Sequence, residues 1–197
     1  MINKAIEFAE RIFAGDGSGH DFDHTMRVYR MAVRIAEEEG AQKNIAALAA
    51  LLHDVDDRKI SPETCANKGR AVGFLRSHGV SEDEIRTIVQ IISEISFSEG
   101  NGRPSTPEGM CVQDADRLDA IGAIGIGRAF AFGGSRGRRM HDPSGSDNTS
   151  TIQHFFDKLL LLKDRMNTDA GRRIAAQRHE FLHTFLEEFY AEWDGIR

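Results

Sequence analysis

An adjacent His53-Asp54 pair closes the apolar run 44–52, and two residues of matching chemistry flank it, His24 upstream and Asp116 downstream. Imidazole nitrogens and carboxylate oxygens together make a ligand set for a divalent metal ion. A helix that is apolar almost all round is deeply buried. Two ionisable groups at its end therefore need partners, and one ion satisfies both. The four residues give a mixed nitrogen and oxygen shell that suits Mn, Fe, Zn or Mg in varying degree and leaves positions open for water and a substrate oxygen. Such an ion would supply hydroxide near neutral pH. Taken singly, each His also reads as a satisfied core histidine and each Asp as a helix cap. As a set on inward faces, they read as a metal site.

The neighbouring residues suggest what the ion would act on. Asp57, three residues after Asp54, is a candidate to orient or deprotonate the attacking water, the alternative being a solvated carboxylate in an Asp-Asp-Arg-Lys run. Lys59 is the first choice for holding substrate phosphate, and Arg27, Arg103, Arg117 and Lys68 are further basic candidates. Arg136, Arg138 and Arg139 stand in a Gly-, Ser- and Arg-rich loop, 133–148, where backbone N–H groups could also meet anionic oxygens. A second pair, His20-Asp21, precedes the helix bearing His24. Asp21 or Asp23 reads as the N-cap of that helix. His20 is left out of the metal shell and reaches the substrate cleft if the helix starts early. His141 and His154 read as surface residues, and His78, His179 and His183 as helix-end or helix-face residues.

Helices must position these groups. The periodicity predicts one over 3–14, with Ile6, Ala9 and Phe13 inward, and one over 24–39, with Val28, Ala32 and Ile35 inward and Gly40 as C-terminal cap. His24 lies four residues before Val28 and belongs on that inward stripe. The helix ending at His53 follows. Ser61-Pro62-Glu63 reads as the start of a helix running to Ser77. Ser81 and Glu84 have the form of a capping box opening a helix with Ile85, Ile88, Val89 and Ile92 inward. A helix is expected from Glu108 to Phe132, with Asp116, Ala120, Ala123 and Gly127 on one face. A pair of long C-terminal helices is expected to bury Phe155, Leu159, Leu162, Ile174, Phe181, Phe185 and Phe189.

Composition bounds the rest. A length of 197 residues with 40% hydrophobic content predicts a single domain over 1–197, with a core at about 20–130 and helices over 150–193 packing on it. A formal net charge of -6 argues against wrapping a nucleic-acid polymer. No apolar run approaches the roughly 18 residues that span a bilayer, so a cytoplasmic protein is expected, with no membrane partner. Cys65 and Cys111 have no metal-type spacing and read as packing residues.

The order His24, then Leu-Leu-His-Asp ending at Asp54, then Asp116 within Asp-Ala-Asp-Arg-Leu-Asp resembles the HD-domain metal-dependent phosphohydrolase superfamily. The stretch from Gln113 through Ala-Ile-Gly-Ala-Ile-Gly-Ile-Gly-Arg, the Gly-Gly-Ser-Arg-Gly loop, and His-Phe-Phe-Asp-Lys-Leu-Leu-Leu-Leu-Lys-Asp-Arg-Met-Asn-Thr resemble a bacterial single-domain subfamily. That resemblance implies an all-α bundle of nine or ten helices. It also implies one divalent ion, manganese for preference with Mg, Co, Fe, Ni or Zn as alternatives, and a nucleoside triphosphate hydrolysed to release pyrophosphate. Dinuclear phosphodiesterase members add histidines between the pair and the last Asp. This chain has only His78 there, which favours one ion. Deoxynucleotidase-like relatives place a Glu where this chain has Asp57. Two other readings stay open: a 5′-nucleotidase-type phosphomonoesterase, and a metal-dependent nucleotide-binding module without turnover. The phosphorylated small molecule is the expected partner, with a homodimer as a further possibility.

Overall fold

A computed structural model describes residues 1–14, 21–58, 60–95, 102–146 and 148–197. Among these residues there are nine α-helices, one 3-10 helix and no strand, which is the all-α class expected. They fall into two compact units, Met1–Ala115 and Asp116–Arg197. No helix of the described residues is long and apolar enough to cross a membrane.

In the first unit, α1 (Ile2–Phe13), α2 (Phe22–Glu38) and α5 (Glu82–Ile95) pack on α3 (Lys43–Leu52), and α4 (Gly69–Ser77) packs on α5. Every residue of α3 from Ile45 to Leu52 is buried, so this helix is the centre of the unit. Asp21 is the N-cap of α2, its Oδ1 accepting the His24 N–H at 2.7 Å, which fixes His24 in the first turn. Gly40, at φ +69°, ends α2 in the left-handed conformation that glycine adopts freely. The Ser81 hydroxyl accepts the Glu84 N–H at 3.3 Å and the Glu84 carboxylate accepts the Ser81 N–H at 3.3 Å, the reciprocal capping box expected. On α1, Ala5 is buried with Ala9 and Phe13 while Ile6 is only partly covered; on α5, Ile91 and Ile95 join Ile85, Ile88 and Ile92 while Val89 is partly covered.

The helix expected from Ser61 begins eight residues later. Residues 62–68 form turns, and Lys68 takes a left-handed φ of +52° before α4. The cap comes from far away: the buried Asp56 carboxylate accepts the N–H groups of Arg70 at 3.1 Å and Ala71 at 2.9 Å. Ser61, the first residue of the expected helix start, is buried and donates instead to the Val55 carbonyl at 2.9 Å.

Cys111 and Cys65 contrast in this unit. Burial, with Glu39, Asp114 and Glu108 nearby, pushes the Cys111 thiol up to about 12. Cys65 is partly exposed. Native protein is therefore expected to take up one alkyl group per chain from iodoacetamide, at Cys65. Modification of Cys111 at a similar rate, read by peptide mass spectrometry, would contradict its burial.

Helix α6 (Pro107–Asp119) runs across the boundary between the units. The continuous helix expected over 108–132 is broken after it, and α7 (Gly122–Ser135) starts anew. Arg178 donates to the Leu118 carbonyl, closing the end of α6, and Gly122 turns the chain at φ +77°. A Cβ on Gly125 would lie 2.3 Å from the Ala120 carbonyl oxygen, so only glycine fits the returning turn. Asp116 therefore shares no helical face with Ala123 and Gly127, both of which are exposed. The expected pair of long C-terminal helices is a short α8 (Thr151–Asp157), a 3-10 helix (Leu159–Arg165) and one long α9 (Asp169–Trp193). Phe155, Leu159, Leu162 and Ile174 are buried as expected, whereas Phe181 is 50% exposed. Phe185 and Phe189 are partly covered, clustering with Phe130. The inward stripe of α9 runs instead through Leu182 and Leu186.

Candidate metal centre

The end of α3 and the start of α2 bring three of the four expected ligands together. Ligand atoms of His24, His53 and Asp54 all lie within 4.8 Å of one another. Asp54 Oδ2 is 3.1 Å from His53 Nε2 and 3.7 Å from His24 Nε2, and the side chains of His24, His53 and Asp54 are 2%, 5% and 14% exposed.

The proton positions test whether this group fits an ion. His53 Nδ1 lies 2.7 Å from the Ala50 carbonyl oxygen, a contact that only an N–H can make. In the neutral ring Nε2 then carries the lone pair, and that lone pair faces a carboxylate oxygen. Two acceptors at 3.1 Å repel, and a cation between them reverses the sign. A backbone carbonyl that fixes the tautomer of an imidazole is also the usual support of a metal-ligating histidine. The three residues fit a divalent ion.

Other expected site residues are placed as follows. Asp57 is half-buried in the turn after the pair, its N–H donating to the Asp54 carbonyl at 3.0 Å. Arg27 is half-buried on α2, one turn after His24. Arg103 is exposed and rests on the Met110 thioether at 3.4 Å. Lys68 is buried at the start of α4. His20 and Lys59 lie outside the described residues.

Asp116 belongs to the second unit, half-buried on α6. Beside it sits a group that the sequence reading passed over. Lys158 is half-buried; burial lowers its pKa, the Asp116 charge raises it, and Arg128 and Arg165 lower it again. A lone lysine ahead of the run Leu159 to Leu162 was the signal available for it. Arg117, expected to hold phosphate, donates to the Arg165 carbonyl in the 3-10 helix. Arg136 and Arg138 both lie over the Phe132 ring, at 5.5 and 5.4 Å from its centroid. With Gly137, Arg139 and Thr149 they line an open depression of about 700 Å³. The loop N–H groups expected to meet anions are largely spent at the end of α7. Those of Arg136 and Arg138 donate to the Gly133 carbonyl and that of Gly137 to the Gly134 carbonyl.

Residues 21–121, which carry His24, His53, Asp54 and Asp116, match the HD domain family. The chain belongs to the HD domain family. It is 38% identical to the Bacillus subtilis protein YpgQ over 96% of this chain and 92% of that one. Among solved structures it is similar to an HD-superfamily hydrolase from Bacillus thuringiensis (42% identity, TM-score 0.84, covering 98% of this chain and 96% of that one). It is also similar to B. subtilis YpgQ in complex with ADP (35% identity, TM-score 0.84, all of both chains). With this HD-type fold and a trio that fits a divalent ion, the chain is a metal-dependent phosphohydrolase.

Proposed function

We propose that this HD-domain protein hydrolyses a phosphoanhydride of a nucleoside or deoxynucleoside triphosphate, releasing pyrophosphate, with one manganese ion held by His24, His53, Asp54 and Asp116. The observation that carries the metal part is the lone-pair nitrogen of His53 facing the Asp54 carboxylate at 3.1 Å. The nucleotide part is supported by the similarity to YpgQ, which binds ADP in its solved structure.

When bound, the ion acidifies water and offsets phosphate charge. The Ala50 carbonyl holds the His53 ring in the ligating tautomer, and Asp21 anchors the helix start that carries His24. Asp57 accepts the proton of the attacking water. Lys59, His20, Arg27 and Arg103 hold phosphate oxygens. In the second unit the exposed Arg136 and Arg138 are the candidates for a triphosphate tail. Lys59→Ala is expected to raise KM with metal binding intact, and unchanged kinetics would remove Lys59 from the substrate contacts.

Phosphomonoester hydrolysis is the second reading, and the placement of Arg117 favours it: a guanidinium held by the Arg165 carbonyl is one fewer contact for a long phosphate chain. Metal-stripped protein resupplied with Mn, Mg, Co or Zn and given nucleoside mono- and triphosphates separates the two. Pyrophosphate from triphosphates is the expected result. Phosphate from monophosphates alone would replace the proposal with the second reading, and metal binding without release of either product would point to a binding module.

A further inference from the structure

On α9 a different pair of imidazoles converges. His179 and His183 are one helical turn apart, with Nε2 atoms 3.0 Å from each other and ring planes at 74°. Histidines at i and i+4 are the spacing by which a helix offers two imidazoles to one ion. Two nitrogens each about 2.0–2.1 Å from a metal stand about 2.9 Å apart at a right angle and about 3.3 Å apart at the tetrahedral angle. At 3.0 Å one ring donates its Nε2–H to the Nε2 of the other, and loss of that one shared proton would leave two lone-pair nitrogens at a separation that suits neighbouring positions on a square-planar or tetragonal ion, the geometry of Cu(II) or Ni(II).

With Nε2 turned to an ion the proton stays on His179 Nδ1, which is buried with no hydrogen-bond partner among the described residues, so this histidine lacks the carbonyl support that Ala50 gives His53 and the dication has to outweigh that cost. Burial, Lys163 and His183 lower the His179 pKa, against Glu180 and Asp164, and a depressed pKa favours the neutral ring that ligates. Asp164 and Glu180 are also the carboxylates whose charge acts on this histidine. His183 is exposed, which leaves the pair open to an ion from solvent.

We propose that His179 and His183 form an accessory binding site for a Cu(II)- or Ni(II)-type dication, built on α9 from residues that the phosphohydrolase chemistry does not use. This inference does not depend on the substrate proposed above. It is tested by calorimetric titration of the intact, metal-stripped protein with CuCl2 and NiCl2, alongside His183→Gln and His179→Gln. Each variant is expected to bind one equivalent fewer than the unaltered protein while keeping its Mn-dependent turnover. Copper EPR should show fewer coupled nitrogens at the site lost. Because His183 is exposed, its replacement by glutamine should leave the melting temperature of the metal-free protein unchanged; if it does not, His179→Gln carries the same test. Equal stoichiometry in all three proteins, whether one equivalent or two, would overturn the proposal.

Discussion

Asp54→Ala is expected to lose metal binding and hydrolysis together, with turnover falling by roughly a hundred- to a thousandfold. The argument is electrostatic. Asp54 Oδ2 stands against both imidazoles, 3.1 Å from His53 Nε2 and 3.7 Å from His24 Nε2. Removing it takes away the one carboxylate that stands against both imidazoles, and with it half of the negative charge that the proposed four-residue shell offers a dication. The fold should survive, because Asp54 lies in the turn after α3, outside the apolar core. Metal content by elemental analysis, turnover and melting temperature of the metal-free protein are the three readouts. Full turnover with stoichiometric metal in a folded variant would remove Asp54 from the site. Loss of turnover with metal retained would recast it as a residue acting on substrate.

Gly125→Ala should be the most damaging conservative change in the second unit, costing about 3 kcal/mol or more. Its Cβ would sit 2.3 Å from the oxygen and 2.4 Å from the carbon of the Ala120 carbonyl, and backbone cannot swing aside as a side-chain end can. For a chain of this size that loss lowers the melting temperature by about 10 °C. Gly127, two residues on in the same helix, is the control: a Cβ there meets nothing within 4 Å. Gly127→Ala should therefore stabilise by about 0.5–1 kcal/mol through helix propensity. Thermal denaturation of the pair decides the matter, and equal melting temperatures for the two variants would refute the tight return between α6 and α7.

What the sequence revealed and what it hid follow the range of the interactions involved. The grouping of His24, His53 and Asp54 was legible because a His-Asp pair at the end of an apolar run conflicts locally with burial, and a histidine four residues ahead of an inward valine shares its face. The Asp21 cap and the Ser81–Glu84 box were legible for the same reason, each acting across three residues. The start of α4 was not, because Asp56 caps it from 14 and 15 residues away. The break after α6 was hidden in the same way: its closing donor, Arg178, is 60 residues distant. Arg117 shows the limit for function, since nothing in its neighbourhood announces a backbone carbonyl 48 residues on as its partner. Periodicity also overstated α9. Phe181, Phe185 and Phe189 recur at helical spacing, yet the buried line is the adjacent one through Leu182 and Leu186.

The complete burial of α3 has a consequence for how the ion and the fold would exchange energy. Amides in a helix enclosed on every side become accessible to solvent only when the surrounding unit opens as a whole. His53 and Asp54 follow directly on that helix, so an ion they grip stabilises the closed state of the entire unit rather than a local loop. Chelation should then be visible in hydrogen exchange as a uniform acceleration along 46–52, the slowest-exchanging part of the unit, with little change at its exposed ends. In this arrangement the strength of the metal site and the global stability of the helices around it are one thermodynamic quantity.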